Sequence, residues 1–221
     1  MEIIYKKAER KTVKIEVRLD GAVVVYYPKY CPKERAEAFV REKSLWIDRK
    51  RDEILKNRAR NDDIFELNTI LLLGKRVVLM YEKGVVNPVL TEKALLMPID
   101  AEKSPEKKRE YLKKYIKNAA NDILPQCVSF FAEKIGKCPT KIIISQQKSV
   151  WGSCNTKKEI RLNAKLVMLP RDLMEYVVIH ELCHMIELNH SQKFWQNVNL
   201  FCDSEKCRKN LKQYNYLISL F

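Results

Sequence analysis

The sequence predicts an α+β chain in two halves. An N-terminal, mostly antiparallel β domain with a helix spans residues 1–103, and a second half, residues 104–221, is built around one buried helix. Three observations predict this. Residues 12–27 and 69–97 hold short apolar runs bounded by turn residues, the mark of strands. Ser104-Pro105-Glu106 is an N-cap, a first-turn proline and an acidic first turn, which together open a long helix. Every histidine of the chain lies between His180 and His190, on a segment apolar almost all round.

Taken in order, Thr12–Arg18 alternates apolar and polar residues and reads as a half-buried strand. Asp20-Gly21 is a hairpin turn, Ala22–Tyr27 the returning strand, and Pro28 its end. Pro32 opens a helix with Ala36, Phe39, Val40, Leu45, Trp46, Ile47 and Ile54 on one side. From Ile64 the pattern returns to strands: Thr69–Leu73 and Arg76–Tyr81 flank a second hairpin turn at Gly74-Lys75. Pro88 confines its strand to a sheet edge, and Ala94–Met97 follows. The helix from Ser104 should be kinked or interrupted at Pro125 and end at Gly136. Lys141–Ser145, Gln146–Cys154 and Glu159–Asn163 read as strands, the last two forming a hairpin turned by Asn155-Thr156. Pro170 begins the histidine helix, Ser191 caps another, and Asp203 opens the last.

Composition narrows the class. Apolar and charged fractions of 46% and 32% are those of a globular protein. No apolar run is long enough to span a membrane, and the first residues lack the apolar core of a secretion signal, so neither a membrane nor export is expected. Seven cysteines without framework spacing suggest reduced thiols and a cytoplasmic location. The net charge of +14 suits a polyanion, either a nucleotide or nucleic acid met through the basic surface.

The chemistry lies in His180-Glu181-x-x-His184-x5-His190. Residues four apart on a helix share a face, so the His180 and His184 imidazoles can converge on one ion. His190 can complete a three-imidazole site that leaves one coordination position open. A lone histidine on an apolar helix is usually a hydrogen-bonded core residue; three at ligand spacing point to metal. Zn2+ fits imidazole and an open tetrahedral site best, and Mn2+, Ni2+ and Co2+ accept the same donors. Glu181 is the candidate general base for a water acidified at the metal. The reaction also needs a donor for a developing oxyanion. Candidate substrate or oxyanion contacts on the upstream hairpin are Lys148, Trp151, Ser153, Asn155 and Arg161. The ligand spacing is that of metzincin proteases, which place Gly three residues after the second His. Here Glu187 stands there, a candidate substitute ligand or partner for an imidazole N–H. Asn189 can adopt a left-handed conformation and turn the chain instead.

Trp151-Gly-Ser-Cys154, Ile160-Arg-Leu-Asn163, Tyr176–His184, Asn189-His-Ser191 and Phe194-Trp195 closely resemble the YgjP-like family of zinc-dependent metallohydrolases. These are related in motif to SprT-type and Wss-type metalloproteases. The resemblance is strongest over residues 141–215 and extends more weakly through Val40–Lys43 and Trp46-Ile47. It implies a zincin-like metallopeptidase domain, with His180, His184 and His190 as ligands and Glu181 beside them. The family's basic residue before Trp-Gly-Ser-Cys is matched only by Lys148, displaced by Ser149-Val150. The metal motif and the hairpin upstream of it point first to a metallopeptidase acting on peptide or unfolded protein, aligned by a strand beside the site. One alternative is a nucleoside triphosphate (UTP) pyrophosphatase, although the chain has no Gly-rich phosphate loop and no acidic Mg cluster. Another is a nucleic-acid-associated adaptor with a structural metal, for which Cys154 is the plausible fourth ligand.

Overall fold

The structure, a computed structural model, describes residues 3–18 and 21–221, with side chains outside 57–65. It divides into two compact units, Met1–Asp63 and Ile64–Phe221.

In the first unit, β1 (Ile3–Ala8), β2 (Lys14–Val17) and β3 (Val23–Pro28) form a sheet with β3 central. β3 runs antiparallel to β2 and parallel to β1. A strand covered on both faces loses the alternation of a half-exposed one. Val23, Val24 and Val25 are accordingly all fully buried. β1 has no counterpart in the sequence reading. Of the expected turn, Asp20 lies outside the described residues, while Gly21 (φ 82°) sits where Arg18 N–H donates to the Ala22 carbonyl at 2.8 Å. The single helix expected after Pro32 is two, α1 (Lys33–Glu42) and α2 (Ser44–Glu66). Ala36, Val40 and Ile47 pack with Val23, Val25 and Tyr27 in this unit's core. Leu45 and Trp46, expected on that face, are 72% and 49% exposed. At about 100° per residue they lie roughly 200° and 100° round the helix from Ile47.

The second unit opens with β4 (Thr69–Leu72), β5 (Lys75–Glu82), β6 (Val89–Leu90) and β7 (Leu95–Pro98), in the order β4-β5-β7-β6. β6 is an edge strand, as Pro88 predicts. β5 and β7 are parallel, so the residues before 103 are less uniformly antiparallel than expected. The boundary expected near residue 103 is also corrected. Ile70, Leu79, Leu95 and Met97 share one core with Leu112 and Ile116 of the following helix, so these strands belong to the second unit. The hairpin turn falls at Leu73 (φ 47°) and Gly74 (φ 77°), one residue earlier than expected. Its tip is docked: Leu73 and Gly74 N–H donate to the carbonyls of Val167 (2.8 Å) and Met168 (3.2 Å).

Helix α3 (Pro105–Ile135) is capped by Ser104, whose hydroxyl accepts from Lys107 N–H at 3.2 Å, and ends at left-handed Gly136. Pro125 does not interrupt it. The buried stripe Leu112, Ile116, Ala120, Leu124, Val128 continues across the proline, and this packing offsets the lost backbone bond. A second sheet, β8-β10-β9, follows from β8 (Lys141–Ser145), β9 (Gly152–Cys154) and β10 (Glu159–Asn163). β9 is shorter than the strand expected over residues 146–154. The preceding loop is held instead by the Asn163 side-chain amide, which donates to the carbonyls of Gln147 (2.8 Å) and Val150 (2.9 Å). A 3-10 segment, Ala164–Met168, leads to α4 (Arg171–Cys183), and α5 (Gln192–Asn199), α6 (Ser204–Leu211) and a 3-10 segment Lys212–Ser219 close the chain. Among the described residues no helix is long and apolar enough to cross a membrane.

Candidate metal centre

Helix α4 carries the site because its other faces are committed to the core. Leu173, Val177, Val178, Ile179 and Leu182 are buried. Its entry is fixed at Pro170, against which the β4–β5 hairpin tip presses. A Cβ on Gly74 would lie 2.8 Å from Pro170 Cα, so only glycine allows the approach.

The three imidazoles converge. His180 Nε2 lies 3.2 Å from His184 Nε2 and 3.1 Å from His190 Nε2. One donor atom from each residue falls within 4.8 Å of the others. Two nitrogens bound about 2.0–2.1 Å from one tetrahedral Zn2+ are separated by about 3.3 Å, so the donor set fits such an ion. His184 Nδ1 donates to the Glu187 carbonyl at 3.1 Å, which leaves the Nε2 lone pair pointing into the cluster. The Glu187 contribution is thus its backbone oxygen. Burial pushes the His180 imidazole down to about 3, with the neighbouring His184 and His190 imidazoles and the Arg208 charge adding to the effect. Burial also lowers His184. Both therefore stay neutral, as ligands must. His180 Nδ1 is buried without a hydrogen-bond partner among the described residues. His190 is exposed, so the cluster opens to solvent on that side.

The chain reaches His190 without a left-handed residue. None of residues 184–190 has positive φ, so Asn189 does not make the turn expected of it. Helix α4 instead tightens. Met185 N–H bonds the Leu182 carbonyl, and Ile186 and Glu187 N–H both bond the Cys183 carbonyl, each at 3.0 Å. Tight i→i+3 winding consumes the last turn and re-aims the chain, so position 187 needs no glycine.

Glu181 is 5% exposed, and burial pushes its carboxyl up to about 8. It lies against Gly152 of β9, where a Cβ would sit 2.7 Å from Glu181 Oε1. The other sequence-predicted residues are dispersed. Ser153 is exposed on β9, opposite Arg161 of β10. Trp151 is buried, and its indole N–H donates to Asn215 Oδ1 at 3.1 Å. Asn155 shapes the β9–β10 turn, its Oδ1 accepting from Lys157 and Glu159 N–H at 3.0 Å. Lys148 is exposed in the loop before β9. Among the described residues the donor cluster contains no thiolate or carboxylate, so Cys154 does not complete a four-ligand site.

Sequence reasoning missed the roles of three residues. Gly152 is read within a motif but not as a close approach, although a glycine inside a strand is a signal for one. Phe194 packs its ring 4.4 Å from His184, 4.8 Å from His190 and 4.9 Å from His180, forming the wall behind the cluster. Arg208 places its guanidinium 4.4 Å over Trp195, which stacks on His190 at 5.5 Å. Nothing local in the sequence signals that stack.

Two imidazoles at the end of a buried helix, a third from the loop that follows and a buried carboxylate beside them fit the site of a metal-dependent hydrolase. The chain belongs to the YgjP-like family, whose metallopeptidase-domain profile matches residues 11–214. No curated protein matches it. Among solved structures, the metallopeptidase zymogen abylysin of Pyrococcus abyssi is 22% identical over 39% of this chain and 87% of that chain, with a TM-score of 0.36. That likeness is too slight to bear on the site.

Proposed function

We propose that the protein is a zinc-dependent metallopeptidase acting on extended or unfolded polypeptide. His180, His184 and His190 would hold the ion, and Glu181 is the general base. The convergence of the three Nε2 atoms carries this reading. When bound, the ion supplies Lewis acidity, lowering the pKa of water and polarising a carbonyl. Glu181 takes the proton from the attacking water and returns it to the leaving amine. Burial favours its neutral form, and positive charge brought into the site favours the carboxylate it needs to act as base. Among the described residues β9 pairs only with β10, which leaves its other edge to align a substrate strand beside Glu181. Exposed Ser153 lies on that strand. A cytoplasmic location belongs to the same reading, supported by seven unpaired thiols.

The test is Glu181→Gln, assayed on casein with zinc content measured in parallel. Cleavage should fall by about 10²- to 10⁴-fold while zinc is retained. Undiminished cleavage refutes the role of Glu181. Glu181-dependent release of pyrophosphate from UTP, without casein cleavage, would assign the machinery to nucleotides.

A further inference from the structure

We propose that the N-terminal unit carries a binding cleft for single-stranded nucleic acid, between the loop after β1 and the start of α1. The cleft encloses about 390 Å³, with Lys11 and Thr12 on the loop side and Tyr30, Arg35 and Phe39 on the helix side. None of its nine lining residues is acidic. Lys11 and Arg35 are exposed. Of the acids on the flanking elements, Glu9 is matched to Lys29 at 2.7 Å and Glu37 to Lys33 at 3.4 Å, while Glu34 in the first turn of α1 is exposed. The Arg10 side chain also turns toward this loop, donating to the Thr12 carbonyl.

The aromatic component is held in place. Tyr30 is 76% exposed, yet its hydroxyl donates to the Lys11 carbonyl at 3.2 Å. That bond ties one side of the cleft to the other and fixes a bare ring face beside two cations. Two cations lining one cleft with an immobilised ring suit a nucleotide strand, with phosphates on Lys11 and Arg35 and a base stacked on Tyr30. Duplex bases are already stacked, so the ring selects unpaired ones. An acidic peptide would satisfy the cations and leave the ring unused. The net charge of +14 draws any such strand toward the protein. The unit contains no histidine, so the cleft stands independently of the metal centre.

The experiment is fluorescence anisotropy of the full chain with labelled oligo-dT and oligo-rU, across a salt series. Tyr30→Ala should weaken binding about 5- to 100-fold. Lys11→Ala and Arg35→Ala should each reduce the log–log salt slope by about 0.7. Tyr30→Phe, which keeps the ring, should bind more tightly than Tyr30→Ala, and Glu181→Gln should bind as the parent does. Circular dichroism confirms that each variant is folded. Duplex DNA bound as tightly as single strands overturns the proposal. So does displacement by polyglutamate, UMP or inorganic phosphate at equal charge, or a loss with Lys137→Ala, in the other unit, equal to that with Arg35→Ala.

Discussion

Gly152→Ala tests the contact that sets Glu181. The added Cβ would lie 2.7 Å from Glu181 Oε1, 2.8 Å from Cγ and 3.0 Å from Cδ. All three are shorter than van der Waals contact, and the carboxylate is 5% exposed, with little room to retreat. The backbone itself is no obstacle, because Gly152 is not among the glycines with positive φ. On backbone grounds alone, alanine would stabilise by about 0.4–1 kcal/mol. Overpacking costs about 1–3 kcal/mol, so a net loss of Tm must come from Glu181. At about 2–4 °C per kcal/mol for a chain of this size, thermal unfolding resolves it. Displacement of the base by the better part of an ångström should lower casein cleavage roughly 100-fold. Zinc affinity should hold, since no histidine moves. The decisive comparison is Gly152→Ala in a Glu181→Ala background, where all three contacting atoms are gone. If the alanine costs as much there as in the parent, the contact does not position Glu181 and the reasoning fails.

Three further outcomes follow from the same packing. Gly74→Ala places a Cβ 2.8 Å from Pro170 Cα at φ +77°, so calorimetry should show a loss of about 2–4 kcal/mol. Removing metal with a chelator should lower Tm while leaving far-UV circular dichroism intact, because α4 is held in place by its own buried apolar residues Leu173, Val177, Val178, Ile179 and Leu182. Lys165 is 1% exposed and donates to the Ile218 carbonyl, and burial, with Lys148 and Lys113 adding, pushes its amine down to about 8. Its folded state binds fewer protons than the unfolded chain between about pH 8 and the ordinary value of 10.5. Wild type should therefore gain stability relative to Lys165→Met as pH rises through that window, and parallel curves for the two would refute the assignment.

The fold was legible where local physics decides it. Ser104 and Gly136 bound α3 as their capping chemistry requires, and Pro88 marks an edge strand. It was not legible where a distant partner decides. β1 pairs parallel with β3 across the whole of β2, and no feature of Ile3–Ala8 names that partner. β4, β5 and β7 read as part of an N-terminal domain because they are strands among strands. Only the shared core with Leu112 and Ile116 assigns them to the second unit. The interruption expected at Pro125 is absent for the converse reason, since the buried stripe on either side of it outweighs one missing backbone bond.

The site divides along the same line. Two ligands four apart on a helix are a local statement, and the sequence carries it. The third is not, because five residues separate His184 from His190 and many conformations span that distance. The metzincin pattern solves the problem with a glycine at the turn. This chain solves it with hydrogen bonds: the Cys183 carbonyl accepts from both Ile186 and Glu187, and the Glu187 carbonyl then accepts from His184 Nδ1. The same carbonyl that ends the turn therefore fixes the tautomer of a ligand, so chain direction and donor orientation are coupled. A glycine count cannot reveal this, because the constraint lies in backbone groups that every residue type possesses. Gly152 is the opposite case. It is the one position beside Glu181 where the absence of a side chain is required, and its signal was present in the sequence as a glycine inside a strand.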